Sequence, residues 1–222
     1  MSHQPLPDKS TSIKIAEMLL SIGAVKFNPT KPFIWTSGWH SPIYCDSRLS
    51  ISYPEIRSFI KENFAQVIRQ HFSQTACIAG VASAGVPQAA LVADVLELPM
   101  VYVRPTPKAH GLENLIEGKL EKGQKVILVE DIISTGGSSL KAVQAVRATG
   151  AEVLAVLAIM SYHFETAQQA FEEAKVPCIS LTNYNYLLAE YARQHDLSEN
   201  LMASLQEWRN NPAEWKNIET IS

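Results

Sequence analysis

The chain is poor in the features that mark several classes of protein. Its 222 residues hold three cysteines, and Cys45, Cys77 and Cys178 are scattered and without ligand spacing. Neither a disulfide framework nor a zinc site is expected, and the thiols should be reduced. No apolar run approaches the roughly 20 residues needed to cross a bilayer, and the polar residues 1–12 lack the apolar core of a signal peptide. A soluble cytoplasmic chain with no membrane partner is the expectation. Positive charge is also scarce. Lys and Arg number 19 against 22 Asp and Glu, a net charge of −3, whereas a dedicated nucleic-acid binder shows a basic face. Internal repeats and low-complexity tracts are absent. With 46% hydrophobic and 18% charged residues, the chain can bury one substantial core, so a single compact domain with small attachments is expected.

The apolar pattern organises that domain. Apolar positions recur at helical spacing over residues 13–23, at Ile13, Ile15, Met18, Leu19 and Ile22. A segment rich in aromatics and prolines follows, through Phe33, Trp35, Trp39, Pro42 and Tyr44, and residues 53–72 read as helix again. Two similar units come next. In the first, strand 77–81, a small-residue turn and helix 87–96 lead to strand 100–104. In the second, strand 126–131, a turn and helix 139–148 lead to strand 153–160. Alternating strands and helices predict a parallel sheet with its ligands outside the C-terminal edge. A short strand over 177–181 and a helical tail over 184–195 and 197–209 complete the chain, with Trp208 and Trp215 packing that tail.

The most informative stretch is Val126 to Ser138. Val126, Ile127, Leu128 and Val129 form the unbroken apolar run of a strand buried on both faces. Glu130 and Asp131 stand where that strand is expected to run out. Ser134, Thr135, Gly136, Gly137, Ser138 and Ser139 then offer hydroxyls and unobstructed amides before a helix, which together make a phosphate cradle. The turn has neither the Lys of a P-loop nor the Gly-x-Gly-x-x-Gly of a dinucleotide fold. Adjacent carboxylates repel a phosphate unless they bind something else, and ribose hydroxyls suit them, so a sugar 5-phosphate would fit acids and turn together. The competing reading is a solvated strand end.

Strand, two acids, Ile132 and Ile133, and then the Ser/Thr-Gly turn resemble the signature of the type I phosphoribosyltransferases. The resemblance implies an α/β fold with a parallel central sheet flanked by helices and a small N-terminal hood. It also implies that Glu130 and Asp131 hold the ribose of 5-phosphoribosyl 1-diphosphate while Ile132, Ile133, Ser134, Thr135, Gly136, Gly137 and Ser138 wrap its 5-phosphate. The turn Ser83, Ala84, Gly85 falls where the family places its diphosphate loop; read from the residues alone, it is equally a tight turn chosen for packing. Some members carry a Lys at the position of Ala84.

Arg104, Lys108, His110 and Gly111 resemble the loop signature of one subfamily, the orotate phosphoribosyltransferases. Cations there would meet a diphosphate leaving group, and the resemblance makes Lys108 and His110, with Glu130 and Asp131, the catalytic candidates. A lone basic loop is otherwise ordinary solvated surface. The segment 36–48, with Ser37-Gly38 and Ser41-Pro42, resembles that subfamily's orotate pocket, and it could also be a hairpin that only covers the sheet. Ser134, Tyr44, Cys45 and Tyr162 are the implied orotate contacts. Thr36 and Tyr162 stand where well-known members have a Lys and an Arg, so Lys26, His40 or Arg48 would have to serve the orotate carboxylate.

The implied organisation is a helix and base-pocket hood over 1–75, a core over 76–182 with a mobile loop at 104–123, and a helical tail over 183–222. Mg²⁺ is the implied cofactor, held mainly by substrate and water oxygens with no dedicated protein ligands. A homodimer with shared active sites is the implied assembly. The implied reaction makes orotidine 5′-phosphate and diphosphate in pyrimidine synthesis. A transferase for a purine or another pyrimidine base would keep the fold and change the base. A non-catalytic regulator that binds phosphoribosyl ligands would be expected to show a basic surface and could dispense with Lys108 and His110. A ligase making the donor from ATP would need nucleotide-binding elements that are absent.

Overall fold

The computed structural model describes residues 7–35, 38–106 and 115–215. Helix α1 (Lys9–Ser21) begins where Asp8 accepts a hydrogen bond from the Thr11 amide at 2.8 Å, a cap that satisfies one of the amides a helix start leaves unpaired. It buries Ile15, Ala16 and Leu19. It stops short of Gly23, whose φ of +69° is the left-handed conformation that ends helices. The hood follows as four short strands, β1 (Val25–Phe27), β2 (Phe33–Ile34), β3 (His40–Ser41) and β4 (Ile43–Cys45). β1 pairs with β4 and β2 with β3, both antiparallel, so the hood is two small ribbons outside the main sheet. A 3-10 turn (Ser47–Ser52) leads into α2 (Pro54–His71). Pro54 occupies its start, Glu55 its first turn, and Arg69 and His71 its last, an order that complements the helix dipole.

The core comprises β5 (Cys77–Val81), α3 (Gly85–Leu96), β6 (Met100–Val103), β7 (Ile116–Glu117), β8 (Lys125–Ile133), α4 (Gly137–Ala148), β9 (Glu152–Ser161), α5 (Glu165–Glu173) and β10 (Cys178–Asn183). Helices α6 (Tyr184–Gln194) and α7 (Glu199–Asn210) follow. The main sheet has the order β10-β9-β8-β5-β6-β7, parallel throughout except for β7, which runs antiparallel to β6. Side chains alternate across it as strand geometry requires. Ile127 and Val129 enter a core shared with α1, α2, α3 and α6, while Val126 and Leu128 enter one shared with α4 and α5. All four are fully buried, each stabilising the fold by roughly 1.5–3 kcal/mol.

The strand order places the site. From β5 the chain moves outward to β6 and β7, then returns to β8 on the other side of β5. The direction of winding therefore reverses between β5 and β8, and the crevice beyond their C-terminal ends is where open α/β sheets bind ligands. Two departures from the sequence-based expectation bear on it. Strand β8 does not run out at the acids. It pairs with β9 through Glu130↔Ala158, Ile132↔Met160 and Ile133↔Ser161, because partners from other elements satisfy the carboxylates. Within the 104–123 span, Ile116–Glu117 forms strand β7 on the edge of β6. Helix α5, which the apolar pattern did not announce, buries only Ala167 and Phe171.

Candidate active site

Glu130 and Asp131 meet at the switch point in unequal surroundings. Glu130 is 5% exposed. Its Oε2 accepts from Ser139 Oγ at 3.0 Å and its Oε1 from the Asp131 amide at 3.2 Å. Burial first, and then the charge and hydrogen bonding of Asp131, push its carboxyl up to about 8, so at neutral pH it is held largely protonated. Asp131 is half-buried, and its Oδ2 accepts from Ser47 Oγ at 2.7 Å. Ser50 Oγ donates to the Ser47 carbonyl at 2.6 Å and accepts from Gln88 Nε2 at 3.4 Å. A chain of polar contacts thus runs from α3 through the 3-10 turn to the Asp131 carboxylate. Two adjacent carboxyl groups flanked by hydroxyls on both sides, the buried one held neutral, are built to exchange hydrogen bonds with a polyol and to respond to positive charge nearby.

Beyond the acids, Ile133 is buried, Ser134 half-buried and Thr135 exposed. Gly136 has φ +82°, and a Cβ there would lie 2.8 Å from a ring carbon of Phe171, so the turn needs glycine on both counts. Helix α4 starts at Gly137, two residues earlier than its apolar pattern suggests. It has no side-chain cap and no acid in its first turn. Its leading amides, with the exposed Gly137 and Ser138, therefore face outward beside the hydroxyls of Ser134 and Thr135. That combination of helix N-terminus, amides and hydroxyls favours a phosphate.

Across the crevice, Ser83 is exposed and Ala84 precedes Gly85, which opens α3 without a side-chain cap or an acid in its first turn. A Cβ on Gly85 would lie 2.4 Å from the Val129 carbonyl oxygen. This glycine is thus explained by helix-to-strand packing, and that packing brings the second uncapped helix start against the strand that carries the acids. Arg104 Nη1 lies 3.5 Å from Glu117 Oε1, and its amide donates to the Leu115 carbonyl at 2.8 Å, which joins the two ends of the segment between β6 and β7. Lys108 and His110 lie outside the described residues, as does Thr36.

The expected base-side residues come together on the hood side. Tyr44 is 41% exposed and its ring lies 5.5 Å from that of Phe33. Burial, then the charges of Asp131 and Asp46, hold the Cys45 thiol far above its ordinary value. Tyr162 is 4% exposed and stacks on Phe164 at 5.4 Å. Burial and the fields of Cys45, Tyr44 and Asp131 raise its phenol well above the usual range, so these groups share one neighbourhood. Its ring forms part of an aromatic wall. Sequence reasoning did not single out Ser47, or pair Ser139 with Glu130. Ser139 could have been found, since strand, three-residue turn and first helical turn bring it back over the acid; nothing local points to Ser47.

A cavity of about 620 Å³ lies behind the phosphate turn, between α5 and the sheet edge, lined by Ile133, Ser161, His163, Phe171 and Ser180 among others. Neither acid lines it. Among the described residues no cluster of three or more His, Cys, Asp or Glu could hold a metal ion, and no helix is long and apolar enough to cross a membrane.

Comparison with known proteins agrees with this geometry. A family described as phosphoribosyl transferase domain matches residues 52–185. The chain is 54% identical over 201 residues to an orotate phosphoribosyltransferase of Bacteroides fragilis, covering 90% of this chain and 95% of that protein. It is 49% identical over 203 residues to an orotate phosphoribosyltransferase of Cytophaga hutchinsonii, covering 91% and 97%. Its fold is similar to the crystal structure of orotate phosphoribosyltransferase from Aeropyrum pernix, with a TM-score of 0.73 and 29% identity over 81% of this chain and 98% of that one.

Proposed function

The chain belongs to the phosphoribosyl transferase family, and we propose that it transfers the 5-phosphoribosyl group of 5-phosphoribosyl 1-diphosphate to orotate; its relatives are named orotate phosphoribosyltransferases. The observation that carries this reading is the pairing of two uncapped helix starts across the switch point with a carboxylate pair between them. One start would serve each phosphate end of the donor, and the acids the ribose.

In the reaction the ribose C1–O bond to diphosphate breaks, a bond from C1 to orotate nitrogen forms, and the nitrogen's proton is lost. Positive charge develops at C1 in the transition state, and fixed negative charge close to it lowers the barrier. Asp131, oriented by Ser47, accepts from the ribose hydroxyls. Glu130 is buried beside it and loses its proton as cationic charge arrives. The amides of Gly137 and Ser138, with the hydroxyls of Ser134, Thr135 and Ser138, hold the 5-phosphate. Ser83, Ala84 and Gly85 present amides to the diphosphate, whose charge Arg104, Lys108 and His110 offset; Lys108 or His110 supplies a proton to the leaving oxygen. Orotate sits under the hood against Tyr44, Cys45 and the Tyr162 wall, with Ser134 at its ribose side.

Mg²⁺ neutralises diphosphate charge when bound. The site fits a substrate-borne ion, whose oxygens would come mainly from donor and water, with the half-buried Asp131 lending the crevice negative charge that favours it. The assembly is a homodimer with shared active sites. Exposed apolar side chains at Ile34, Leu49, Tyr53 and Tyr102 offer surface for that contact. The setting is cytoplasmic, in keeping with three free thiols. The test is to mix chain, donor, Mg²⁺ and orotate and follow orotate absorbance together with diphosphate. Equimolar loss and release is expected; orotate left unconsumed while the donor binds would contradict the reading.

A further inference from the structure

The β2–β3 hairpin of the hood is a short ribbon, with register pairs Phe33↔Ser41 and Ile34↔His40. So small a ribbon is marginal alone and depends on what it packs against. Its main support comes from the far end of the chain. Trp208, on α7, is fully buried, and its indole N–H donates to the His40 carbonyl at 3.0 Å across 168 residues. The same ring meets Trp35 at 5.7 Å, Tyr162 at 5.7 Å, Phe164 at 5.5 Å and Tyr184 at 5.3 Å. Trp35 and Tyr162 also touch directly, with ring centroids 5.0 Å apart. Trp208 therefore joins the two walls between which the base is read to bind, the hairpin and the end of β9. Its neighbour Arg209 adds a second tie, donating from Nη2 to the His163 carbonyl at 3.2 Å.

We infer that Trp208 is a positioning residue for base binding, holding the β2–β3 hairpin at a fixed height over the end of β9, so that helix α7 is a structural part of the base pocket. The inference rests on the reading of the hairpin as the base-side segment. The phosphoribosyl half of the site is carried by β5, β8 and the helices that follow them, not by α7. The two substrates should consequently respond differently when this anchor is weakened.

The experiment uses the full chain and compares Trp208→Phe with Trp215→Phe. Trp208→Phe keeps an aromatic ring but removes the N–H donor, leaving the His40 carbonyl without that partner. Trp215→Phe removes indole hydrogen bonds to Ser204 Oγ and carbonyl at 3.1 and 3.0 Å, a tie within the tail that does not reach the hairpin. Loss of one neutral hydrogen bond corresponds to roughly a fivefold change. Trp208→Phe should raise KM for orotate by about that factor, with KM for the donor and kcat within about twofold. Trp215→Phe should leave all three alone, even where it lowers Tm as much.

Hydrogen exchange provides a readout that needs no substrate. The Trp35 amide donates to the Trp39 carbonyl and the Gly38 amide to the Trp35 carbonyl. Both should exchange faster in Trp208→Phe and not in Trp215→Phe. Three results would overturn the inference: unchanged exchange at those amides, faster exchange with unchanged orotate KM, or equal effects of the two variants. If the wild type ignores orotate but the hairpin amides respond as described, the base assignment has failed and the anchoring has not.

Discussion

Replacing Glu130 by Gln should make the protein less sensitive to alkaline pH while impairing its catalysis. The wild-type carboxyl has an ordinary value of 4.5 and stands at about 8 in the fold. The folded chain therefore binds more protons at this position than the unfolded chain between those two values. Stability from this group is fully present below pH 4.5 and is lost as pH rises towards 8. Each pH unit inside the window costs about 1.4 kcal/mol, so between pH 5 and pH 8 the loss is on the order of 3 kcal/mol. For a chain of this size that is roughly 6–12 °C in Tm.

Glu130→Gln has no proton to lose there, and Gln can still accept from Ser139. Subtracting the two Tm-versus-pH curves removes the titrating groups not coupled to Glu130, and the difference should grow steadily from pH 5 to pH 8 in favour of the variant. Asp131→Asn is the companion measurement. It removes the second cause of the shift and leaves burial, so its curve should fall between the other two. Parallel curves for wild type and Glu130→Gln would refute the argument that Glu130 is buried as the neutral acid.

Other outcomes are equally definite. Ser47→Ala removes the hydroxyl that orients Asp131 at 2.7 Å, a part-buried hydrogen bond; kcat/KM for the donor should fall by roughly tenfold and Tm by a few degrees, as steady-state kinetics and a thermal melt would show. Gly85→Ala places a Cβ 2.4 Å from the Val129 carbonyl oxygen; the shift of α3 away from β8 should cost roughly 1–3 kcal/mol or more in urea unfolding, and an unaltered midpoint would contradict the packing. Lys108→Ala should depress turnover far more than orotate affinity, read by pairing kcat with equilibrium orotate binding.

How much of this could be read from residues alone follows from the range of each interaction. Strands buried on both faces appear as unbroken apolar runs, so β5, β8 and β9 were legible, and with them the parallel sheet and its active edge. The acids and the Ser-Thr-Gly-Gly turn were legible because strand end, turn and helix start are consecutive. The length of β8 was not, since Glu130 looks like the end of a strand until Ser139 is seen to satisfy it. Helix α5 presents only Ala167 and Phe171 to the core, too thin a stripe to stand out, and the hood strands are two or three residues long. Partners that arrive from afar leave no local pattern. Ser47 reaches Asp131 across 84 residues and Trp208 reaches His40 across 168. Trp208 was legible as a buried tail residue, and its role in joining hood to sheet was not.

Glu130, Asp131 and the phosphate turn serve phosphoribosyl transfer to orotate in particular. The direct measurement is a competition in which chain, 5-phosphoribosyl 1-diphosphate and Mg²⁺ meet equal concentrations of orotate, uracil, adenine, hypoxanthine and xanthine, with each base and its nucleotide quantified over time. Orotate alone should be consumed, with orotidine 5′-phosphate and diphosphate appearing in equal amounts. Consumption of a different base would contradict the orotate assignment, and release of no diphosphate with any base would contradict the catalytic reading altogether.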